Sequence, residues 1–399
     1  MFRFCIAVVL TMFGTGEMLA AEAQGSFVSG AVPGTVRFTG SEKSFGIGGR
    51  LESHAVLSDV AFDANQSGRD RLRFSQIPVE RNDNSSQFRF NSRDSRLWFR
   101  LQRPLQDHDF NVYVETEFTD KPGTYNMFVR HAYLSVGPLL AGRSYTTFID
   151  SAALPDVDSG SGPGEIFLKR GQLRWTQAFD NGMELALALE EPDSVINDPN
   201  SVINDPNSNR TSTIEDDQVP TIVSKLGWHE DWGQVSVATM IRELCWQQDN
   251  KHASELAGAI GVSGRLNVGV VNNIRFMASY GNGVGRFITL GAYADASLDS
   301  NYGELKTHPA LGAQLAYQHF WNPAWRSTVS VGWSQASLPD GISRLMTERA
   351  GSIQANLFWS PVPELSVGLE YLHARQQLLN GQDGELNRFM LSTRYTLEL

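Results

Sequence analysis

From about residue 44 to its last residue the chain alternates apolar and polar side chains with a period of two, and amphipathic helical patterning is scarce. Successive side chains of a strand point to opposite faces, so this pattern dictates strands with one apolar and one polar face. Met183, Leu185, Leu187 and Leu189 alternate with Glu184, Ala186, Ala188 and Glu190. Ile353, Ala355, Leu357 and Trp359 alternate with Gln354 and Asn356, and Leu365, Val367, Leu369 and Tyr371 with Ser366, Gly368 and Glu370. Phe389, Leu391, Tyr395, Leu397 and Leu399 lie opposite Arg388, Ser392, Arg394 and Glu398. Soluble β-sandwiches alternate as well, so the connections have to decide.

Short turns are expected near 103–107, 137–138, 180–182, 229–231, 264–267, 322–324 and 360–363. Between them fall longer links near 60–90, 120–125, 146–164, 191–217, 244–252, 282–308, 338–347 and 376–385. Seven short turns and eight long links join sixteen strands, with both termini on the short-turn side. That is the layout of a bacterial outer-membrane barrel, and segments of about ten residues span the bilayer when tilted. The expected fold is therefore all-β: a 16-stranded antiparallel transmembrane β-barrel, multi-pass in the outer membrane. Phe179, Trp228, Trp232, Phe320, Trp321, Trp325 and Trp359 all flank the short turns, where an interfacial aromatic girdle belongs. Apolar plugs at the ends of a soluble sandwich are the alternative, but they leave the alternation of short and long connections without a cause.

Composition agrees once it is split by face. Charged residues make up 19% and apolar residues 41% of 399 residues, with a net charge of −11. The mean hydropathy of −0.26 is too polar for helical membrane spans. The first 23 residues read as a signal peptide, with Arg3, an apolar stretch Phe4–Phe13 and an Ala21-Glu22-Ala23 cleavage site. Residues 24–43 then form a short periplasmic N-terminal segment and 44–399 the barrel. Cleavage would remove Arg3 together with Glu17 and Glu22, leaving the charge near its full-length value at −10, and would leave Cys245 as the only cysteine. The 191–217 link carries a tandem repeat, SVINDPN at 194–200 and 201–207, which fits an exposed loop tip. Its seven acids against Arg210 are either solvated charge or a site for divalent cations bridging lipid phosphates.

Function should sit on the polar face. Strand parity points Arg96, Arg100, Arg143, Arg170, Arg174, Arg242, Arg388 and Arg394 into the lumen, against fewer inward acids: Glu115, Glu117, Glu184, Glu190 and Glu370. Guanidiniums in a confined aqueous lumen raise its potential and match the fork of a carboxylate or phosphate. Each arginine has a second reading, as an ion-pair partner that stiffens the wall. The run at 143–164 is too long and too apolar for a simple turn. It is expected to fold inward as a constriction at the third external position, with Tyr145, Phe148, Asp150, Asp156 and Asp158 as its candidate side chains.

Particular residues carry a family resemblance. V-P-G-T-V-R-F-T-G at 32–40, F-G-I-G-G-R at 45–50 and N-S-R-D-S-R-L at 91–97 resemble the DcaP family of trimeric outer-membrane porins. So do R-H-A-Y-L-S-V-G-P-L-L-A-G-R-S-Y-T-T-F at 130–148 and A-L-P-D at 153–156. The resemblance implies a homotrimer in outer-membrane lipid and lipopolysaccharide that passes small anionic solutes, dicarboxylates among them, through an arginine-rich eyelet. It adds Arg93 and Arg130 to the lumen candidates and reinforces Arg96 and Arg143. Two departures stand out: residues 24–43 lack the heptads of a periplasmic coiled coil, and the chain ends in Leu399 rather than an aromatic residue.

Enzyme chemistry has no foothold. G-x-S-x-G, H-E-x-x-H, G-x-x-x-x-G-K and C-x-x-C are all missing from the sequence, so no catalytic residue, metal or cofactor is expected. The acidic balance argues against nucleic acid as a partner. A structural or adhesive barrel that binds partners through its loops is the alternative to a porin.

Overall fold

The computed structural model describes residues 27–30, 34–60, 74–79, 86–121, 124–160, 162–197, 218–248, 250–289, 291–299, 303–339 and 344–398. The signal segment, residues 198–200 of the first SVINDPN copy and the whole second copy lie outside these residues. Sixteen long strands follow one another along the chain. The first four are β1 (Ser44–Ser58), β2 (Arg96–Leu105), β3 (His108–Lys121) and β4 (Thr124–Val136). Next come β5 (Leu139–Tyr145), β6 (Lys169–Ala178), β7 (Met183–Glu190) and β8 (Thr221–Glu230). The chain continues through β9 (Gly233–Gln248), β10 (Lys251–Val268), β11 (Asn272–Asn282) and β12 (Pro309–Asn322). It ends with β13 (Trp325–Ala336), β14 (Thr347–Val362), β15 (Leu365–Leu378) and β16 (Asp383–Glu398). Each pairs antiparallel with the next, and β16 returns to β1 in register from Arg388↔Ser58 to Glu398↔Gly48. Closure leaves no edge, so every ladder hydrogen bond of the wall is made within the wall, as a hydrocarbon environment requires.

The faces are inverted relative to a soluble protein. On β16, Phe389, Leu391, Tyr395 and Leu397 are exposed, whereas Arg388 and Ser392 are buried. The same holds on β7, where Leu187 and Leu189 face out and Ala188 and Glu190 face in. Trp228, Trp232, Trp321, Trp325 and Trp359 are exposed at the short-turn end, with Trp325 and Trp359 stacked at 6.1 Å between ring centroids. This is the expected girdle.

The connections differ from expectation in four places. Lys121 pairs with Thr124, Gln248 with Lys251 and Gln377 with Asp383. The links foreseen near 120–125, 244–252 and 376–385 are therefore hairpins whose strands run on past the membrane. Polar residues there read as loop in the sequence, but a ladder satisfies their backbone just as well. The turn foreseen at 264–267 is displaced to 269–271, after β10. Described parts of two of the remaining long links, 191–217 and 282–308, form structure of their own. Ile196–Asn197, Ala296–Leu298 and Leu305–Thr307 form a separate three-stranded sheet, with Ile196↔Ala296 parallel. The first copy of the repeat thus begins in a strand, with Ser194 and Ile196 fully buried, rather than at an exposed tip. The Val-Ile pair supplies β-propensity that the repeat's polar remainder conceals. Cys245 is buried.

Candidate functional site

A β-bulge shapes the wall. Between β3 and β4 the register passes from Glu115↔His131 to Thr116↔Val129, so Arg130 is the extra residue. Strict alternation would send either Arg130 or His131 outward; the bulge buries both. Arg130 is thereby aimed at two inward carboxylates: its Nε lies 2.9 Å from Glu115, another guanidinium nitrogen pairs with Glu117, and a third donates to the Tyr145 hydroxyl at 2.8 Å. Arg96 lies 3.6 Å from both acids. Arg96 and Arg130 are thus balanced by Glu115 and Glu117. Arg93 is buried in the bend between Gln87–Asn91 and β2.

After β5, the described residues of 146–168 contact buried side chains on strands from β6 to β16. At the root, the Thr146 hydroxyl and the Thr147 amide donate to Glu190 at 2.6 and 2.5 Å. Phe148, Ile149 and Ala153 pack on Ala188, Val223, Ala238, Met240, Ala259 and Met277, inward side chains that are apolar where the segment covers them. Asp150 caps a short 3-10 turn and accepts from Gln234 at 2.9 Å. Farther on, Asp156 accepts from Arg326 at 2.8 Å and Arg394 at 3.1 Å, and Asn356 donates to its carbonyl at 2.8 Å. Arg394 and Ser392 both donate to the carboxylate of Asp158. The amides of Asp158 and Ser159 donate to Glu370 at 2.7 Å each. Close approach is possible because the wall is bare beneath: a Cβ on Gly332 would sit 2.4 Å from the Pro163 carbonyl oxygen. Burial alone would raise the Asp156 carboxyl, but Arg394 and Arg326 outweigh it and hold it below its ordinary value.

The inward cations divide into three sets. Arg170 and Arg242 lie at the opposite end from the short turns and are closed over by the 191–197 and 283–298 segments. Arg170 bonds Asp193 at 3.2 Å and Arg242 faces Asp295 at 3.5 Å, with both guanidiniums over the Phe287 ring. Arg388 is buried, its Nε donating to Ser58 at 3.0 Å. Arg326 and Arg394 are held by the carboxylates of 156 and 158. The third set is Arg100, Arg174 and Lys225 near the middle of β2, β6 and β8, with Arg265 and Arg275 toward the short-turn ends of β10 and β11. Among the described residues none of these five makes an ion pair within 4.0 Å. Lys225 and Arg275 donate to the carbonyls of Ile149 and Leu154.

The crossing segment contacts β6–β16 and its Asp158 also approaches Glu52 and His54 on β1, while β2–β5 lie beside it. There a cavity of about 510 Å³ is lined by Arg100, Tyr113, His131, Tyr133, Ser144 and Tyr145, with Arg100 5.4 Å from the Tyr113 ring centre. Arg143 falls on the other parity. It pairs with Ala132 and Gly171 and shares a face with Leu139 and Ala141, while Ser144 lies opposite Arg170 on the inner face. Leu139-Leu140-Ala141 is apolar on both parities, so the sequence offered no marker of direction. Lys225, Arg265, Arg275 and Arg326 went unnoticed, although each has the parity of a buried neighbour, as Arg275 has of Met277.

Comparison with known proteins follows this geometry. Residues 53–397 match the family described as DcaP outer membrane protein. No curated protein matches the chain significantly. The outer membrane channel DcaP of Acinetobacter baumannii superposes with a TM-score of 0.76 at 18% identity, covering 89% of this chain and 97% of that one. The anion-selective porin from Comamonas acidovorans superposes at 0.56 with 10% identity over 89% of this chain and 100% of its own. The trimer form of OmpT from Vibrio cholerae gives 0.56 with 12% identity over 90% and 100%. At such identities the likeness is one of fold.

Proposed function

This chain belongs to the DcaP outer membrane protein family, and from that premise we propose a porin for passive diffusion of small hydrophilic solutes that prefers anions, dicarboxylates among them. One observation carries the preference: the inward acids other than Glu184 are occupied, while among the described residues five inward cations make no ion pair within 4.0 Å. Glu115 and Glu117 are spent on Arg96 and Arg130, Asp156 and Asp158 on Arg326 and Arg394, and Glu190 and Glu370 on the crossing segment. Arg100 lines the cavity beside the crossing segment, where confinement strengthens its field and its fork matches a carboxylate. Residues 146–168 act as the constriction, and Arg93, Arg96, Arg130, Arg170, Arg242, Arg388 and Arg394 build the frame that holds it rather than the solute path. Arg143 lies at the rim, outside the path.

The barrel functions as a homotrimer exported by its signal segment, with the short turns in the periplasm and lipopolysaccharide around the outer rim. The trimeric OmpT neighbour and the anion-selective Comamonas porin support these readings by fold alone. The test is reversal potential across planar bilayers with chloride and succinate gradients. Permeability ratios favouring both anions over potassium are expected; cation preference sinks the proposal. Sedimentation in detergent should give three chains per particle.

A further inference from the structure

The N-terminal hairpin carries chemistry not used above. Phe27–Ser29 and Val36–Phe38 pair with each other, and Val36↔Phe45 and Arg37↔Ser44 attach them to the start of β1. They join on the side where β16 has already ended at Glu398↔Gly48, so the hairpin fills the open corner of the seam. Its two faces differ. Phe27, Phe38 and Phe45 cluster with centroids 4.4 to 6.4 Å apart, and Phe27 and Phe38 are exposed, which suits the membrane boundary.

The opposite face turns inward. Ser44, Gly46 and Gly48 share the buried parity of β1. A Cβ on Gly46 would lie 2.4 Å from the Gly34 carbonyl oxygen and 3.1 Å from Thr35 Cγ2, so the chain at 34–35 rests directly on the inner wall. Gly30 is equally tight: a Cβ there would lie 2.1 Å from Thr35 Oγ1, and its amide closes the turn onto the Thr35 carbonyl at 2.7 Å. Thr35 is 5% exposed, yet it lines the same cavity as Arg100, Gln102, Tyr113 and Tyr133. A backbone strap resting on the inner wall at the short-turn mouth narrows that mouth and brings Thr35 to the cavity that Arg100 also lines.

We propose that residues 34–35, pinned by the aromatic hairpin, form an inner lip at the short-turn mouth of the pore, with Thr35 a selectivity-determining residue next to Arg100. This rests on the porin reading. A small carboxylate in the Arg100 field passes Thr35, whose neutral side chain bounds the cavity there without adding charge. Charge placed at 35 should therefore alter selectivity as only a pore-facing position can.

The experiment is bilayer recording on the full-length channel at about 0.1 M salt, where screening acts over about 10 Å. Thr35→Asp should lower the anion-to-cation permeability ratio by at least about twofold and Thr35→Lys should raise it, with both variants keeping heat-resistant mobility. Thr35→Trp, neutral and bulky, should reduce unitary conductance. A selective wild type whose ratio is unmoved by both charged variants and whose conductance is unmoved by Thr35→Trp overturns the lip and leaves the porin intact. A wild type that does not conduct overturns the porin reading together with the lip.

Discussion

At the scale of single residues, an arginine's role follows from its carboxylates, not from its parity. Arg100, Arg174 and Arg242 all face inward, but Arg242 is fully buried against Asp295 while Arg100 borders open lumen. Arg100→Ala and Arg174→Ala should each lower the anion-to-cation permeability ratio by about twofold or more, read from reversal potentials. Arg242→Ala should leave that ratio unchanged and destabilise the 283–298 segment by about 3–5 kcal/mol, because Asp295 would stay buried without its counterion. Equilibrium unfolding in detergent measures it. Asp156 sets the pH response of the crossing segment. Its folded pKa is depressed by Arg394 and Arg326, so its contribution is present above the ordinary carboxylate value and is lost as pH falls through the lowered one. Conductance should therefore hold from pH 7 to about pH 5 and become unsteady only in stronger acid, checked by recording across that range.

At the scale of elements, the segment 146–168 and the β4 bulge arrange what the strands supply. The segment is fixed by apolar packing at its root and ion pairs at its tip, two attachments that fail independently. Replacing residues 150–162 by a short Gly-Ser linker should raise unitary conductance by at least about half without reversing the anion preference, since removing Asp156 and Asp158 leaves Arg326 and Arg394 as unpaired inward cations in a wider pore. A fall in conductance would count against the segment as the constriction. Strand existence was readable from alternation because lipid outside and water inside impose opposite chemistry on adjacent residues. Arg130 and Arg143 show where that code ends. A bulge places Arg130 and His131 on one face, and the Leu139-Leu140-Ala141 run reads the same in either direction. Hairpins at 121–124 and 248–251 were hidden for a related reason: beyond the membrane both faces of a strand are wet, so alternation stops while pairing continues.

At the scale of the whole molecule, closure of sixteen strands turns two faces into an outside and a lumen. The cost of error is asymmetric: Leu391→Arg, on the exposed apolar face, should cost about 2–4 kcal/mol if it lies near the bilayer midplane, measured by reversible folding into liposomes. A polar exchange at the inward Gln354 on β14 should cost less, its effect confined to the bonds with Ser159 and Gly160. The sequence by itself determined the class, the strand number, the girdle and the abundance of inward arginines, because period, turn chemistry and ring position are local properties. Tertiary structure alone decided which arginines keep an ionised partner. Asp156 meets Arg394, 238 residues away, only across a closed barrel, and the charge left in the lumen depends on such meetings.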